Sequence, residues 1–292
     1  MTSTPRSRPG SRCNAPSSPD WPIWEAEIPR LDAELVRRGL VRSRAEAQRL
    51  VRDGAVRVGA DVVRKGAHPV TESDHLWVDA DQVSRYVNRG AEKLAHAVHT
   101  WGLSVRGRRC LDVGASTGGF TQVLLEGGAS EVVALDVGHG QLHPDVRADP
   151  RVTNCEGVSI RDVTRGQFGE PFDVVVADLS FISLRLVLKE LGEQLAPGGW
   201  CVVLVKPQFE VGKERLARTG VVTSGQQRAE ALTKVVAAAT GQGMEIRGIL
   251  KSPLKGGQGN VEYLLWLQSG PSGRMGVDEL AATVARLGHD DQ

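Results

Sequence analysis

Lys93, Asp178, Lys206 and Glu262 lie far apart in the chain, yet each falls where a strand or helix end would open onto one cleft. Two lysines and two carboxylates at one site can take a proton from a hydroxyl and hold the charge that develops as it reacts. Lys206 is the candidate base, Lys93 would steady the developing oxyanion or a phosphate, and Asp178 and Glu262 would orient the two lysines. A single residue of this set could equally be half of an ordinary ion pair. Beside them runs a glycine-rich stretch, Asp112-Val-Gly-Ala-Ser-Thr-Gly-Gly119.

The elements that must position these residues follow from the apolar pattern. Strand-like runs cover 110–113, 132–136, 152–155, 172–178, 200–206, 245–250 and 261–267, with helical stretches at 119–126, 183–195 and 225–240 between most of them. Continuous apolar strands alternating with helices predict an α/β fold with a mostly parallel sheet covered on both faces. Only a loop separates the last two strands, so these should form an antiparallel hairpin at one edge. In this seven-stranded, Rossmann-like arrangement, Asp178 and Lys206 end neighbouring strands at the carboxyl edge, where open α/β sheets bind ligands. Glu262 begins the last strand, and Lys93 comes from a helix that precedes the sheet.

The glycine loop follows a strand and opens a helix, the position at which backbone can approach a nucleotide-like ligand. Gly114, Gly118 and Gly119 spell neither the dinucleotide fingerprint nor a P-loop, which disfavours a pyrophosphate and favours a ligand carrying an amino acid and a ribose. Asp112 could pair with the ammonium of such a ligand, Ala115, Ser116 and Thr117 line the turn, and Asp136 could bind two ribose hydroxyls. S-adenosyl-L-methionine fits both roles. After the third strand, Glu156 or Asp162 could touch an adenine or be plain surface acids.

Charge is uneven along the chain. The 292 residues carry a net charge of +1, but residues 30–65 hold ten Arg or Lys against five Asp or Glu. Two short helices there carry Arg37, Arg38, Arg42, Arg44, Arg49 and Arg52, with Arg30 just before them. The planar guanidinium fork suits phosphate. Ser43-Arg-Ala-Glu46 is a capping box for the second helix, and short strands follow around Gly59. The four cysteines lack metal-type spacing and read as free thiols, and no metal site is expected. Neither a secretory leader nor a run long enough to span a bilayer is present, so a cytoplasmic protein is expected.

The stretches Arg30-Leu-Asp-Ala-Glu-Leu-Val-Arg-Arg-Gly39, Ser43-Arg-Ala-Glu-Ala47 and Gly54-Ala-Val-Arg-Val58 resemble the S4 RNA-binding domain. The order Lys93, Asp178, Lys206, Glu262 resembles the tetrad of FtsJ-like 2′-O-ribose methyltransferases. With Gly-Ala-Ser-Thr-Gly-Gly-Phe-Thr121, Ala-Asp-Leu-Ser-Phe-Ile-Ser183 and Val-Lys-Pro-Gln-Phe-Glu-Val-Gly212, the chain is similar to the TlyA family, often labelled haemolysin A, over about residues 30–268. That resemblance implies S-adenosylmethionine-dependent methylation of cytidine in 16S and, for the longer form with a full S4-like module, 23S ribosomal RNA, with ribosomal RNA or subunits as partner. It also implies a division into an N-terminal extension (1–29), an S4-like domain (30–83), a linker (84–88), a methyltransferase domain (89–270) and a C-terminal helix and tail (271–292). Three alternatives stand beside it: a methyltransferase of a small molecule or a base, a membrane-active haemolysin-like protein, and a non-catalytic RNA-binding factor in ribosome assembly.

Overall fold

A computed structural model describes residues 29–79, 85–270 and 275–289. The expected N-terminal extension, save Pro29, lies outside the described residues, as do Ser84 of the linker and part of the C-terminal tail. The chain divides into two compact units, 1–80 and 81–292.

In the first unit, α1 (Leu31–Arg37) and α2 (Arg44–Asp53) bury Leu31, Leu35, Ala47, Leu50 and Val51. Ser43 caps α2 by accepting from the Glu46 N–H at 3.2 Å, and Glu46 reaches back to the Arg42 N–H at 3.1 Å. Gly54, at φ 78°, ends the helix in the left-handed conformation that glycine adopts without strain. Three short strands follow, β1 (Val56–Val58), β2 (Asp61–Val62) and β3 (Leu76–Val78), in the order β2-β1-β3. Two buried acids hold α1. Asp32 accepts from Arg30 at 3.1 Å and Gln48 at 2.9 Å, and Glu34 accepts from Arg37 and Arg38.

The second unit opens with α3 (Gly90–Trp101) and builds a seven-stranded sheet. Its strands are β4 (Arg109–Val113), β5 (Glu131–Asp136), β6 (Val152–Glu156), β7 (Phe172–Ala177), β8 (Leu195–Val205), β9 (Met244–Lys251) and β10 (Tyr263–Ser269), in the order β6-β5-β4-β7-β8-β10-β9. The first five run parallel, and β10 is antiparallel to both β8 and β9, so the expected edge hairpin forms with the last strand set inside it. Side chains alternate across the sheet. Cys110, Val132, Val174 and Val202 pack under α3 and α4 (Gly119–Glu126). On the other face lie Leu111, Val133, Val175 and Cys201. α6 (Leu188–Glu193), α8 (Gly225–Gly241) and α9 (Val277–His289) cover these. Two four-residue helices, α5 (Pro144–Arg147) and α7 (Pro207–Glu210), precede α6 and α8 in sequence. The expected helix over 183–195 is split, with a 3-10 turn at Leu184–Leu186 preceding α6. The C-terminal helix joins the core, burying Val284 and Leu287, and its Leu287 carbonyl accepts from the Tyr263 hydroxyl at 3.1 Å.

The acids of α1 make the first unit acid-sensitive. Hydrogen bonds from Arg37 and then Arg38 hold the Glu34 carboxyl down at about 2. Its contribution is therefore complete above about pH 4.5 and is lost as pH falls toward 2. Glu34→Gln should flatten that acid limb in a circular-dichroism titration; an unchanged limb would remove Glu34 from the account.

Candidate active site

The carboxyl ends of β4, β5, β7 and β8 converge on two adjoining cavities of about 290 and 500 Å3. Lys93, Asp178 and Lys206 line the smaller one together with Gly114–Thr117 and Gly119. Asp136 lines the larger one among Leu135, Val137, Val158, Ile160 and Leu179. Gly114, Ser116, Asp178 and Ser180 border both.

The four charged residues meet as two pairs. Lys93 Nζ lies 2.5 Å from Glu262 Oε2, both almost wholly buried. Lys206 Nζ lies 2.7 Å from Asp178 Oδ1, an ion pair whose angles fall outside an aligned hydrogen bond, and donates to Ser180 Oγ at 2.8 Å. Asp178 and Lys206 stand one residue beyond β7 and β8, and Glu262 one residue before β10, so the strand ends themselves aim the site.

The glycine loop is built for close approach. Gly114, at φ 82°, sits where a Cβ would meet the Asp178 carbonyl at 2.7 Å, and Gly119 where one would strike Asn88. Asn88 Nδ2 donates to Thr117 Oγ1 at 2.5 Å, and its own Oδ1 accepts from the Ala91 N–H in the first turn of α3. One amide thus ties the helix carrying Lys93 to the loop. Asp136 accepts one backbone N–H on each oxygen, from Ser116 at 2.8 Å and Gly138 at 2.7 Å, which leaves a lone pair on each for a further donor.

Two acids near the loop are held by partners inside the protein. Asp112 is fully enclosed and lines neither cavity. It is the penultimate residue of β4, so its side chain points into the layer under α4, where Thr121 Oγ1 donates to it at 2.7 Å. A direct ammonium contact is not available to it in this arrangement. Glu156 collects the N–H groups of Gly140, Gln141 and Leu142 at 2.8–3.4 Å and so holds the loop after β5 in place of touching a base.

Sequence reasoning missed Ser180, Asn88 and Glu210. Glu210, 2% exposed, accepts from Ser183 Oγ at 2.6 Å, the Leu184 N–H at 2.7 Å and Arg185 at 3.2 Å. It fastens the loop bearing Asp178 and Ser180 to the helix that follows Lys206. Its only signal in the sequence was an acid four residues after a strand-end lysine.

In the first unit the arginines divide. Arg30, Arg37, Arg44 and Arg49 each face an acid at 2.6–3.4 Å but keep a third or more of the side chain exposed, and Arg42 and Arg52 are also exposed. Arg38 differs: it donates to Glu34 at 2.7 Å and to the Asp74 and Thr71 carbonyls at 2.7 and 2.8 Å. Its guanidinium holds the turn before β3 against α1.

A glycine turn after the first strand of such a sheet, with a reversed strand near the edge, defines the Rossmann-like methyltransferase class. The FtsJ-like methyltransferase family matches residues 86–269 and the S4 domain residues 29–76. The 16S/23S rRNA (cytidine-2′-O)-methyltransferase TlyA of Mycobacterium tuberculosis is 48% identical over 82% of this chain and 90% of its own. Hemolysin A of Brachyspira hyodysenteriae is 36% identical over 80% and 98%. A solved Streptococcus thermophilus structure, provisionally named a hemolysin, superposes with a TM-score of 0.72 at 35% identity, covering 90% of this chain and 96% of that one. The chain belongs to the TlyA family of FtsJ-like methyltransferases. No helix among the described residues is long and apolar enough to cross a membrane.

Burial pushes the Asp112 carboxyl up to about 7 against the lowering hydrogen bond from Thr121, and the charges of Asp178 and Asp136 raise it further. An acid that holds its proton more tightly when folded lowers stability as pH rises from about 4 to 7, by at most about 1.4 kcal/mol per pH unit. Asp112→Asn should therefore gain stability relative to the parent at pH 8 more than at pH 4.5 in thermal melts. Equal shifts at both pH values would contradict the buried-acid account.

Proposed function

We propose that this protein transfers a methyl group from S-adenosylmethionine to the 2′-hydroxyl of cytidine in ribosomal RNA. The observation that carries the reading is the Lys206–Asp178 pair, opening with Lys93 and the glycine loop into one cavity. The names of relatives support the substrate, the S4 domain supports RNA as partner, and 16S together with 23S RNA is the range that the name of the Mycobacterium tuberculosis relative gives. A ribosomal substrate in turn supports a cytoplasmic location.

The residues present fit the cofactor. The larger cavity offers apolar walls for an adenine and Asp136 for a ribose diol. The Gly114 turn packs against the Asp178 carbonyl and, with Ala115, Ser116 and Thr117, lines the smaller cavity, where the methionine portion would lie. When bound, the sulfonium supplies an electrophilic methyl carbon and a neutral thioether leaving group.

The chain's own residues do the rest. Lys206 Nζ, in its neutral form, takes the 2′-hydroxyl proton as the oxygen attacks. The ammonium that results is met at once by Asp178 and the Ser180 hydroxyl, which need no rearrangement to receive it. Lys93, held by Glu262, presents a second positive group to the oxygen as it gains charge. Glu210 and Asn88 keep the two loops in register, and such positioning supplies much of the remaining rate.

Lys206→Ala should lower methylation of ribosomal RNA on the order of 10²–10⁴-fold while leaving cofactor binding nearly intact. Tritium transfer and calorimetric titration with S-adenosylhomocysteine measure the two effects. Undiminished transfer would end the base assignment, and transfer to free nucleosides as fast as to ribosomal RNA would end the substrate assignment.

A further inference from the structure

The small sheet of the first unit has one covered face and one open face. Val56, Val63 and Leu76 are buried on the covered side. On the other, Arg57 stands directly opposite Val62 on one neighbouring strand and Trp77 on the other, and residues opposed in this way share a face. Trp77 is 50% exposed and Val62 46%. The Arg57 guanidinium lies 5.5 Å from the centre of the Trp77 ring. Arg64, two residues after Val62, adds a cation to the same unit and donates to the Arg52 carbonyl at 3.0 Å. A tryptophan kept in water beside an arginine presents a flat apolar surface next to positive charge.

We propose that this face is a stacking site for an unpaired nucleobase of RNA, with Trp77 as the platform, Val62 as its apolar flank and Arg57 contacting the adjoining phosphate. The inference rests on the RNA reading given above and adds to it a preference that the helix arginines do not supply. Arginine forks on α1 and α2 meet phosphates, which duplex and single strand both offer. An aromatic ring needs a base face, and in a duplex each face is already covered by its neighbours. Charge complementarity selects this occupant: a polyanion carrying flat apolar rings matches a tryptophan beside an arginine, in an arginine-rich unit, better than an apolar protein face does. Trp77 thereby biases the unit toward looped or unwound segments of the substrate.

The test uses the full-length protein, a fluorescein-labelled 12-nucleotide single-stranded RNA and a 12-base-pair RNA duplex, with anisotropy as the readout. Trp77→Leu keeps apolar bulk and removes the aromatic face. It should weaken single-strand binding about tenfold, leave the duplex within about twofold and leave the salt dependence of binding unchanged, because no phosphate contact is lost. Trp77→Phe should retain most of the affinity and shows whether any loss comes from misfolding. An Arg44→Ala/Arg52→Ala variant should weaken both probes. If that variant weakens both while Trp77→Leu changes neither, stacking is wrong and the RNA reading survives; if the parent protein binds neither probe, the RNA reading itself fails. A shift from dimer to monomer in Trp77→Leu with RNA affinity unchanged would overturn the proposal in favour of self-association.

Discussion

A buried charge has to be answered by another, and that requirement shapes the cleft at the carboxyl edge of the large sheet. Lys93, Lys206 and Glu262 are each less than a tenth exposed. Removing one partner of such a pair costs about 3–5 kcal/mol, because the survivor keeps its desolvation penalty and loses its compensation. The Lys93–Glu262 contact therefore does more than set up chemistry: it fixes α3, which precedes the sheet in sequence, against the start of the last strand. The Lys206–Asp178 contact does the same for the ends of β7 and β8. Four elements are brought to one point by two electrostatic constraints, and the glycine loop needs only the Asn88 bridge to join them.

Much of this was legible beforehand. The glycine loop announced the start of α4, the apolar runs located all seven strands of the large sheet, and the short connection between the last two gave the reversed strand. Strand-end position alone put Asp178 and Lys206 on one edge. What the sequence hid were contacts without period. Ser180 reaches Lys206 and Asn88 reaches Thr117 across 26 and 29 residues, through a hydroxyl and an amide that look like ordinary loop polarity. Three further placements follow from local geometry. Asp112 was placed by its nearness to the strand end, whereas alternation along β4 turns it under α4. Glu156, a candidate adenine contact or surface acid, and Arg38, a candidate phosphate contact, each engage backbone groups, three N–H groups in one case and carbonyls in the other, and a buried backbone group without a partner is costly.

The division of the cavities follows from the same alternation. Asp178 stands at the border, and the loop after it carries Ser180 toward the lysines and Leu179, Phe181 and Ile182 toward the apolar side. One five-residue stretch so separates a polar, charge-handling compartment from an apolar one. Glu210 is the brace for that stretch, which explains why a carboxylate that lines neither cavity is nonetheless buried with both oxygens engaged.

The last strand has a consequence for how the molecule is made. β9 leaves the ribosome before β10, yet in the sheet it pairs only with β10, which inserts between it and β8. Until residues 263–269 emerge, both β8 and β9 present open strand edges, the kind of surface on which nascent chains associate with one another. Glu262 immediately precedes that strand, so the same late event closes the sheet and delivers the partner for Lys93. A chain stopped shortly before this point would carry the glycine loop, Asp178 and Lys206 complete, and would still be a sheet with a gap and an uncompensated lysine.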